Sequence, residues 1–183
     1  MSDAINPHRA MRIAYLFPTV EEATPFLLRN PKALVFVTGV GPAAVAAATV
    51  RAVKAKKPHL MLLCGVAGAY DTSLNKGEVV EVVQEQMGEL PERYRECYAL
   101  EPLTELRTAR SNTVTRCGGE AAGAEVEQME GAAFFAVCEA FEVEAAQIRA
   151  ISNYVGEPRE EWCFAEAVEN LAEILSGLNF EEE

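Results

Sequence analysis

Short apolar runs of strand length alternate along this chain with longer segments that have the spacing of helices. Four runs in the first half are each six residues long and largely apolar, as expected for strands that are buried on both faces. They are Arg12–Phe17, Ala33–Thr38, His59–Cys64 and Glu78–Val83. Alternation of strand and helix is typical of helices packed on both sides of a parallel sheet. We therefore predict an α/β fold, a single-domain three-layer α/β/α arrangement with a mainly parallel central sheet.

Three segments have helical spacing, and a fifth strand-like run precedes the last of them. Pro42–Lys57 is rich in alanine, with a proline where a first helical turn accepts it and lysines at its end. The other two helices are predicted over Met129–Glu142 and Cys163–Leu178, and the strand over Gln147–Ser152.

The chain divides into three parts by composition. We predict a flexible N-terminus over residues 1–10, one domain over residues 11–179 and an acidic tail over residues 180–183. Within the domain, residues 85–117 are charged and give weak signals, and Asn112–Arg116 is the extended pattern there.

Composition and charge exclude several classes of protein. The net charge of −12 argues against a nucleic-acid partner, because phosphates attract a basic surface. The two histidines lie in unrelated contexts and the five cysteines lack CxxC spacing, so we predict no metal site and reduced thiols. No apolar run is long enough to span a membrane, and no segment has the order of a signal peptide. We therefore expect a cytoplasmic protein without a membrane partner.

One carboxylate falls on an apolar helix face. The helix predicted from residue 129 places Glu130 on the face of Phe134 and Phe141. An ionised group on that face needs a partner or a ligand, because burying an unpaired charge is costly. Arg149 lies inside an apolar strand, and we expect it to pair with a carboxylate for the same reason.

Polar or glycine-rich features follow four of the predicted strands, and ligands bind where the carboxyl ends of such strands meet. These features are Thr19–Glu22, Thr38–Gly41, Gly65–Gly68 and Ser152–Tyr154. Together with Glu130 they could line one crevice. Each also has a purely structural explanation. Glu22 suits the first turn of a helix, the glycines suit tight turns or close packing, and Asn153 could bond a loop amide.

Taken in order, these segments resemble the nucleoside phosphorylase and nucleosidase superfamily, and most closely its futalosine hydrolases. The matching stretches are TVEEATPFL (Thr19–Leu27), VTGVG (Val37–Gly41), CGVAGAYDTSLNKGEVV (Cys64–Val80), EVEQMEGAAFF (Glu125–Phe135) and QIRAISNYV (Gln147–Val155). The resemblance implies cleavage of the N-glycosidic bond of a nucleoside, which needs an activated water, a bound ribose and a stabilised leaving base. It implies no cofactor, and it suggests a homodimer.

The resemblance also implies roles for single residues. Glu22 matches the family's catalytic carboxylate, the general base for the water, and Asn153 holds the second catalytic position. Glu130 matches the residue that accepts hydrogen bonds from ribose hydroxyls, and Met129 beside it presents an apolar surface to the sugar. The predicted substrate-binding set is completed by Gly41, Ala67, Gly68 and Tyr154.

Two positions bear on the reaction and its substrate. In methylthioadenosine nucleosidases the place of Asn153 holds an aspartic acid, which helps to protonate the departing adenine. An asparagine amide offers a donor and an acceptor instead, which suits a 6-oxopurine. Phosphorylases of the superfamily typically bind phosphate with a serine where this chain has Val66. We therefore expect hydrolysis of a small-molecule substrate, a 5′-modified purine nucleoside of the futalosine type.

Two alternatives stay open. One is a purine nucleoside phosphorylase, whose turnover would require phosphate. The other is a catalytically inactive nucleoside-binding or scaffold homologue, because the chain is shorter than the family pattern between Gln84 and Leu103. That region offers no evident aromatic surface for the base, although Tyr94 and Tyr98 are candidates by residue type. An open pocket would favour the enzyme, and a pocket filled by residues 85–117 would favour the scaffold.

Overall fold

The computed structural model describes residues 11–180, and within them eight strands form one sheet that is flanked by four helices. The strands are β1 (Ile13–Phe17), β2 (Leu34–Val37), β3 (Leu60–Ala69), β4 (Val79–Met87), β5 (Cys97–Ala99), β6 (Arg107–Thr113), β7 (Val126–Gln128) and β8 (Glu144–Tyr154). The helices are α1 (Val20–Arg29), α2 (Pro42–Lys56), α3 (Gly131–Ala140) and α4 (Phe164–Gly177). The predicted flexible N-terminus and residues 181–183 of the predicted acidic tail lie outside the described residues.

The apolar runs predicted as strands are confirmed. The four runs of the first half overlap β1 to β4, and Gln147–Ser152 lies inside β8. β3 and β8 extend beyond the predicted runs because they pair in parallel along nearly their whole length, from Leu60 beside Glu144 to Ala69 beside Tyr154.

The helix ends follow local chemistry. Gly41 precedes α2 with a φ of 95°, a conformation that glycine adopts without strain, and Pro42 takes the first helical position. Lys57 ends this helix in the left-handed conformation. α1 is not apparent from apolar spacing. It begins after Thr19, because the Thr19 hydroxyl accepts a hydrogen bond from the Glu22 N–H at 3.2 Å.

The sheet is mixed, so the prediction of a mainly parallel sheet is wrong. β1 pairs in parallel with β2 and β3, and β3 with β8. In contrast, β4 is antiparallel to β5 and β8, and β7 is antiparallel to β3. The reason lies between β3 and β4. Residues 70–78 connect them without a helix, and so short a connection reverses the chain, whereas a parallel crossover needs a dozen residues or more.

The sheet also closes on itself. β3, β7, β6, β4 and β8 pair in that order, and β8 pairs again with β3. β2 and β1 extend the sheet on one side of this ring, and β5 extends it on the other. The ring forces β3 to change partner along one edge, where β1 pairs with Leu60–Leu63 and β7 with Gly68–Ala69.

Two hydrophobic clusters hold the helices against opposite faces of β3. Leu62 and Cys64 pack with α1 and α4, whereas Met61 and Leu63 pack with α2 and α3, because successive side chains of a strand point to opposite faces. Both faces are therefore covered, which explains the continuous apolar run. None of the four helices within residues 11–180 is both long and apolar enough to cross a membrane.

The middle of the chain contains more strand than the sequence predicts. β6 occupies Arg107–Thr113 and overlaps only the start of the predicted Asn112–Arg116 run, and β5 is an additional short strand. The buried residues at the end of β6 are polar: Ser111, Asn112 and Thr113. A strand that buries hydroxyl and amide groups lacks the apolar pattern by which strands are predicted.

α3 begins at a glycine because its backbone lies directly against buried side chains of β4 and β8. A Cβ on Gly131 would lie 2.5 Å from Gln147 Oε1 and would overlap the Glu85 carboxylate. Glu85 and Gln147 are fully buried, so neither can swing out into water.

We therefore predict that Gly131→Ala destabilises the protein. Overpacking of this kind costs about 1–3 kcal/mol, which urea denaturation would measure as a lower free energy of unfolding. Gly177→Ala is the matched control, because a Cβ there meets no atom within 4 Å. Equal stabilities of the two variants would show that α3 does not need the glycine.

Candidate active site

A pocket of about 440 Å³ lies where the ends of β3, β7 and β8 meet the starts of α1 and α4. Six of the eight predicted site residues line it: Glu22, Ala67, Gly68, Met129, Glu130 and Asn153. Residues 85–117 do not fill the pocket, and Cys117 is their contribution to its wall. Its size and its mixture of apolar and polar walls are typical of a small-molecule site.

Part of the pocket wall is a stretch of β3 that has a strand neighbour on one edge only. Between the segments paired with β1 and β7, residues 64–67 pair with β8 alone in the described part of the chain. A buried N–H without an acceptor is costly. The Glu22 carboxylate supplies the acceptor, because its Oε1 takes the Val66 N–H at 2.9 Å.

Glu22 is held at both oxygens and is 4% exposed. Its Oε2 accepts a hydrogen bond from Thr19 Oγ1 at 2.8 Å. Burial raises the pKa of Glu22, against the opposing effects of the Val66 and Thr19 hydrogen bonds and the positive charge of Arg149. A carboxylate with a raised pKa takes up a proton more readily near neutral pH. Gly65 leaves the space for this arrangement, since a Cβ there would lie 2.8 Å from Glu22 Oε1.

Glu130 is also bound at both oxygens. Its Oε1 accepts the Gly41 N–H at 3.1 Å, and its Oε2 accepts Arg149 Nη2 at 3.3 Å. The prediction that Arg149 pairs with a carboxylate is therefore confirmed. The prediction that Glu130 lies on an apolar helix face is wrong, because α3 begins one residue later, at Gly131, and Phe141 is 40% exposed beyond its end.

Gln128 positions this ion pair, although no sequence pattern assigns it a role. Its Oε1 accepts the N–H groups of Glu130 at 2.6 Å and Gly131 at 2.7 Å. These donors have no partner inside the helix, so Gln128 satisfies the start of α3. The same oxygen accepts Arg149 Nη2 at 3.0 Å, and Gln128 Nε2 donates to Glu85 at 2.8 Å. The amide thus joins the pocket to a buried carboxyl group behind it.

Glu85 is fully buried and receives further hydrogen bonds from Thr113 Oγ1 at 3.0 Å and Gln147 Nε2 at 3.2 Å. Burial raises the pKa of Glu85 to about 7, although the hydrogen bonds of Ser111 and Thr113 and the charge of Arg149 oppose it. The network is not saturated, because Gln147 Oε1 and Arg149 Nε have no hydrogen-bond partner within residues 11–180. The sequence signal was the presence of two glutamates, Glu81 and Glu85, in a strand of otherwise apolar and amide residues.

Asn153 lies at the end of β8 and is 4% exposed. Its Oδ1 accepts Ser152 Oγ at 2.8 Å, and its Nδ2 donates to the Tyr154 carbonyl at 3.0 Å. One amide hydrogen and one lone pair remain available, because the amide has two donors and an acceptor with two lone pairs. Gly68 makes room for it, since a Cβ there would lie 3.1 Å from Nδ2.

Two predicted substrate-binding residues lie outside the pocket wall. Gly41 precedes α2 and reaches the pocket only through its N–H, which is bonded to Glu130. Tyr154 packs on the apolar cluster formed by β3, β4, β6, β7 and β8, and its ring centre lies 5.3 Å from Lys76 Nζ.

The aromatic surface of the pocket is formed by Trp162 and Phe164. Tyr94 and Tyr98, the candidates by residue type, do not line it. Trp162 and Phe164 were not predicted as pocket residues, because Phe164 shares the helical spacing of the last helix and so indicates packing, and no motif includes Trp162. The available signal was their place between the Asn153 strand and the last helix. Arg159 stacks on both rings, with its Cζ 4.2 Å from the centre of the Trp162 ring and 5.4 Å from that of Phe164.

A family model covers nearly all of the described residues. The model, whose description is "Phosphorylase superfamily", matches residues 9–102 and 107–178. The chain belongs to the phosphorylase superfamily. The resemblance drawn from the motif residues is thereby confirmed at this level. No significant match exists among curated proteins.

Solved structures of nucleosidases share the fold of this superfamily member. The S-adenosylhomocysteine nucleosidase of Streptococcus pyogenes, in complex with 5-methylthiotubericidin, has a TM-score of 0.81 at 16% identity and covers 92% of this chain and 96% of its own. A futalosine hydrolase mutant of Helicobacter pylori has a TM-score of 0.78 at 16% identity, covering 91% and 97%. The Campylobacter jejuni methylthioadenosine/S-adenosylhomocysteine nucleosidase has a TM-score of 0.76 at 20% identity, covering 91% and 96%.

The buried carboxyl group of Glu85 makes stability depend on pH in a definite direction. Its pKa is about 7 in the folded protein, against an ordinary value of 4.5. The folded state therefore binds its proton more tightly than the unfolded state, so this group lowers stability as pH rises from about 4.5 to 7. The size of the effect is about 3 kcal/mol at 1.36 kcal/mol per pH unit.

We predict that Glu85→Gln removes this part of the pH dependence. The free energy of unfolding of the variant should fall less than that of the wild type between pH 5 and pH 7.5, measured by urea denaturation. Glu173→Gln, on an exposed position of α4, is the control and should follow the wild-type profile. A wild-type slope in Glu85→Gln would contradict the raised pKa.

Proposed function

We propose that this protein hydrolyses the N-glycosidic bond of a 5′-modified purine nucleoside, with a 6-oxopurine as the leaving group, in the manner of a futalosine hydrolase. The observation that carries the proposal is the convergence of Glu22, Glu130 and Asn153 on one open pocket. Their positions meet the three needs of the reaction, namely water activation, ribose binding and recognition of the departing base.

Glu22 has the properties of a general base. Each of its oxygens has one hydrogen bond from the protein, which leaves lone pairs to accept a proton from water. The water oxygen forms a bond to C1′ while the C1′–N9 bond breaks, and the electron pair of that bond leaves with the purine. Glu22 takes the proton that the water loses. Its raised pKa favours this transfer near neutral pH.

Glu130 suits ribose binding because its charge is balanced and its position is fixed. Arg149 and the Gly41 N–H occupy one lone pair on each oxygen, and the remaining lone pairs can accept hydrogen bonds from two hydroxyls. Met129, beside it on the wall, adds an apolar contact for the sugar.

Asn153 supports a 6-oxopurine rather than adenine as the base. Its free amide hydrogen and lone pair can meet the carbonyl and ring N–H of an oxopurine, whereas an amide cannot act as a strong acid toward adenine. Val66 supports water over phosphate as the nucleophile, because its isopropyl group lines the pocket and cannot bind an anion.

We predict that the protein releases free base from a nucleoside. Hypoxanthine should appear from futalosine without phosphate, measured by chromatography beside inosine and methylthioadenosine, each with and without phosphate. Dependence on phosphate would instead favour a purine nucleoside phosphorylase. Folded protein that releases no base from any of the three would favour a nucleoside-binding or scaffold homologue.

Substitutions of Glu22 and Glu130 should distinguish the roles of the two carboxylates. Glu22→Gln should lower kcat by about 10²- to 10⁴-fold while sparing substrate binding, because the base acts only in the chemical step. Glu130→Gln should lower kcat and also weaken substrate binding. This substitution also leaves Arg149 without a counter-charge, so the melting temperature of each variant should be measured beside its kinetics. Glu173→Gln serves as the surface control. Equal losses of binding in the two variants would disprove this division of roles.

A further inference from the structure

Arg159 is a cation on the pocket wall that has no ion-pair partner among residues 11–180. It belongs to the short helical turn Arg159–Glu161, between β8 and α4, and its side chain is exposed. Arg149, which lies behind the wall, is buried and paired with Glu130. The positive charge of Arg159 is therefore not neutralised by an ion pair within residues 11–180.

The Arg159 guanidinium is nevertheless held in place. It stacks on the Trp162 ring at 4.2 Å and lies 5.4 Å from the Phe164 ring centre. The Trp162 indole is fixed in turn, because its Nε1 donates to the Glu157 carbonyl at 3.2 Å. Stacking on an aromatic face leaves the edge donors of a guanidinium free to bind a carboxylate in a bidentate manner.

The rest of the wall has the opposite charge. Its ionisable side chains besides Arg159 and Cys117 are four glutamates, namely Glu21, Glu22, Glu127 and Glu130. In a protein of net charge −12, an anionic group would be repelled by most of this pocket. Arg159 is the place on the wall where such a group gains attraction.

The geometry points to Arg159 as the residue that recognises a carboxylate on the 5′ substituent of the nucleoside. This inference rests on the proposed function, in which Glu130 binds the ribose hydroxyls and Asn153 meets the base. The substituent on C5′ is then the part of the nucleoside that contacts neither Glu130 nor Asn153, and Arg159 is an exposed side chain of the same wall. The 6-oxopurine and the ribose are neutral, so the substituent must carry the charge that Arg159 matches.

The test uses two inosine derivatives that differ only in charge. One carries a 5′-(3-carboxyphenylthio) group and the other a 5′-(3-carbamoylphenylthio) group. We expect the wild type to prefer the carboxylate by about 10- to 100-fold in kcat/KM, mainly through KM, as for a charge-assisted hydrogen bond. Dissociation constants from calorimetry with Glu22→Gln protein give the same comparison without turnover.

Two variants of Arg159 and one control assign the preference. Arg159→Gln should lower kcat/KM about 10- to 100-fold more for the carboxylate substrate than for the carboxamide substrate, which abolishes the preference, whereas Arg159→Lys should keep part of it. Arg93→Gln is the matched control, because Arg93 also belongs to a short helical turn and stacks on an exposed ring, Tyr94, at 4.7 Å, away from the pocket. It should retain the full preference.

Each other outcome overturns the inference in a distinguishable way. Turnover of both substrates at equal rates would refute the role of Arg159 and leave the proposed function intact. Equal losses for both substrates in Arg159→Gln, with a lower melting temperature, would show a purely structural arginine. Stimulation by phosphate that Arg159→Gln abolishes would make Arg159 a phosphate ligand. Neither turnover nor binding of either compound by the wild type would refute both proposals.

Discussion

The pocket exists because one edge of β3 changes partner between β1 and β7. At Val66 no strand within residues 11–180 pairs with the main chain on that edge, and the Glu22 carboxylate accepts the Val66 N–H instead, at 2.9 Å. A side chain that completes the hydrogen bonding of a buried strand is fixed in position and withdrawn from water. The structural and the proposed chemical roles of Glu22 therefore have one origin, since the same burial that makes it an acceptor for the strand raises its pKa.

A single buried arginine supplies the positive charge for the carboxyl groups in and behind the pocket wall. Arg149 pairs with Glu130 and opposes the raised pKa values of Glu22 and Glu85. Burial raises the pKa values of Glu22 and Glu85, because the loss of hydration outweighs the opposing effect of the Arg149 charge. Gln128 makes the cluster a unit, because it bonds Glu85 through one end of its amide and Arg149 through the other. The position of the Arg149–Glu130 pair at the pocket is thereby linked to the buried Glu85 network in the core.

Two groups of pocket residues are held in place by different interactions. Glu22, Glu130 and Asn153 lie at the ends or starts of regular elements and are fixed by main-chain hydrogen bonds. Arg159 and Trp162 lie on the segment between β8 and α4 and are fixed mainly by stacking. Loop segments accept substitution more readily than strand ends. Residues proposed for bond cleavage thus occupy the rigid part of the pocket, and the residue proposed for substituent recognition occupies the adaptable part.

The sequence by itself determined the apolar strands and the start of α2 at Pro42, because each of these depends on one contiguous segment. It also indicated Glu22, Glu130 and Asn153 as candidate site residues, and the structure places all three on one pocket wall. It also indicated that Arg149 needs a carboxylate partner. Only the tertiary structure decided that the sheet is mixed and closed, and that the partners of Gln128 include Glu85, 43 positions away in the chain. Periodicity reports which face of a segment is apolar. It cannot report which distant group satisfies a buried polar side chain, because that partner is chosen by strand pairing across the ring.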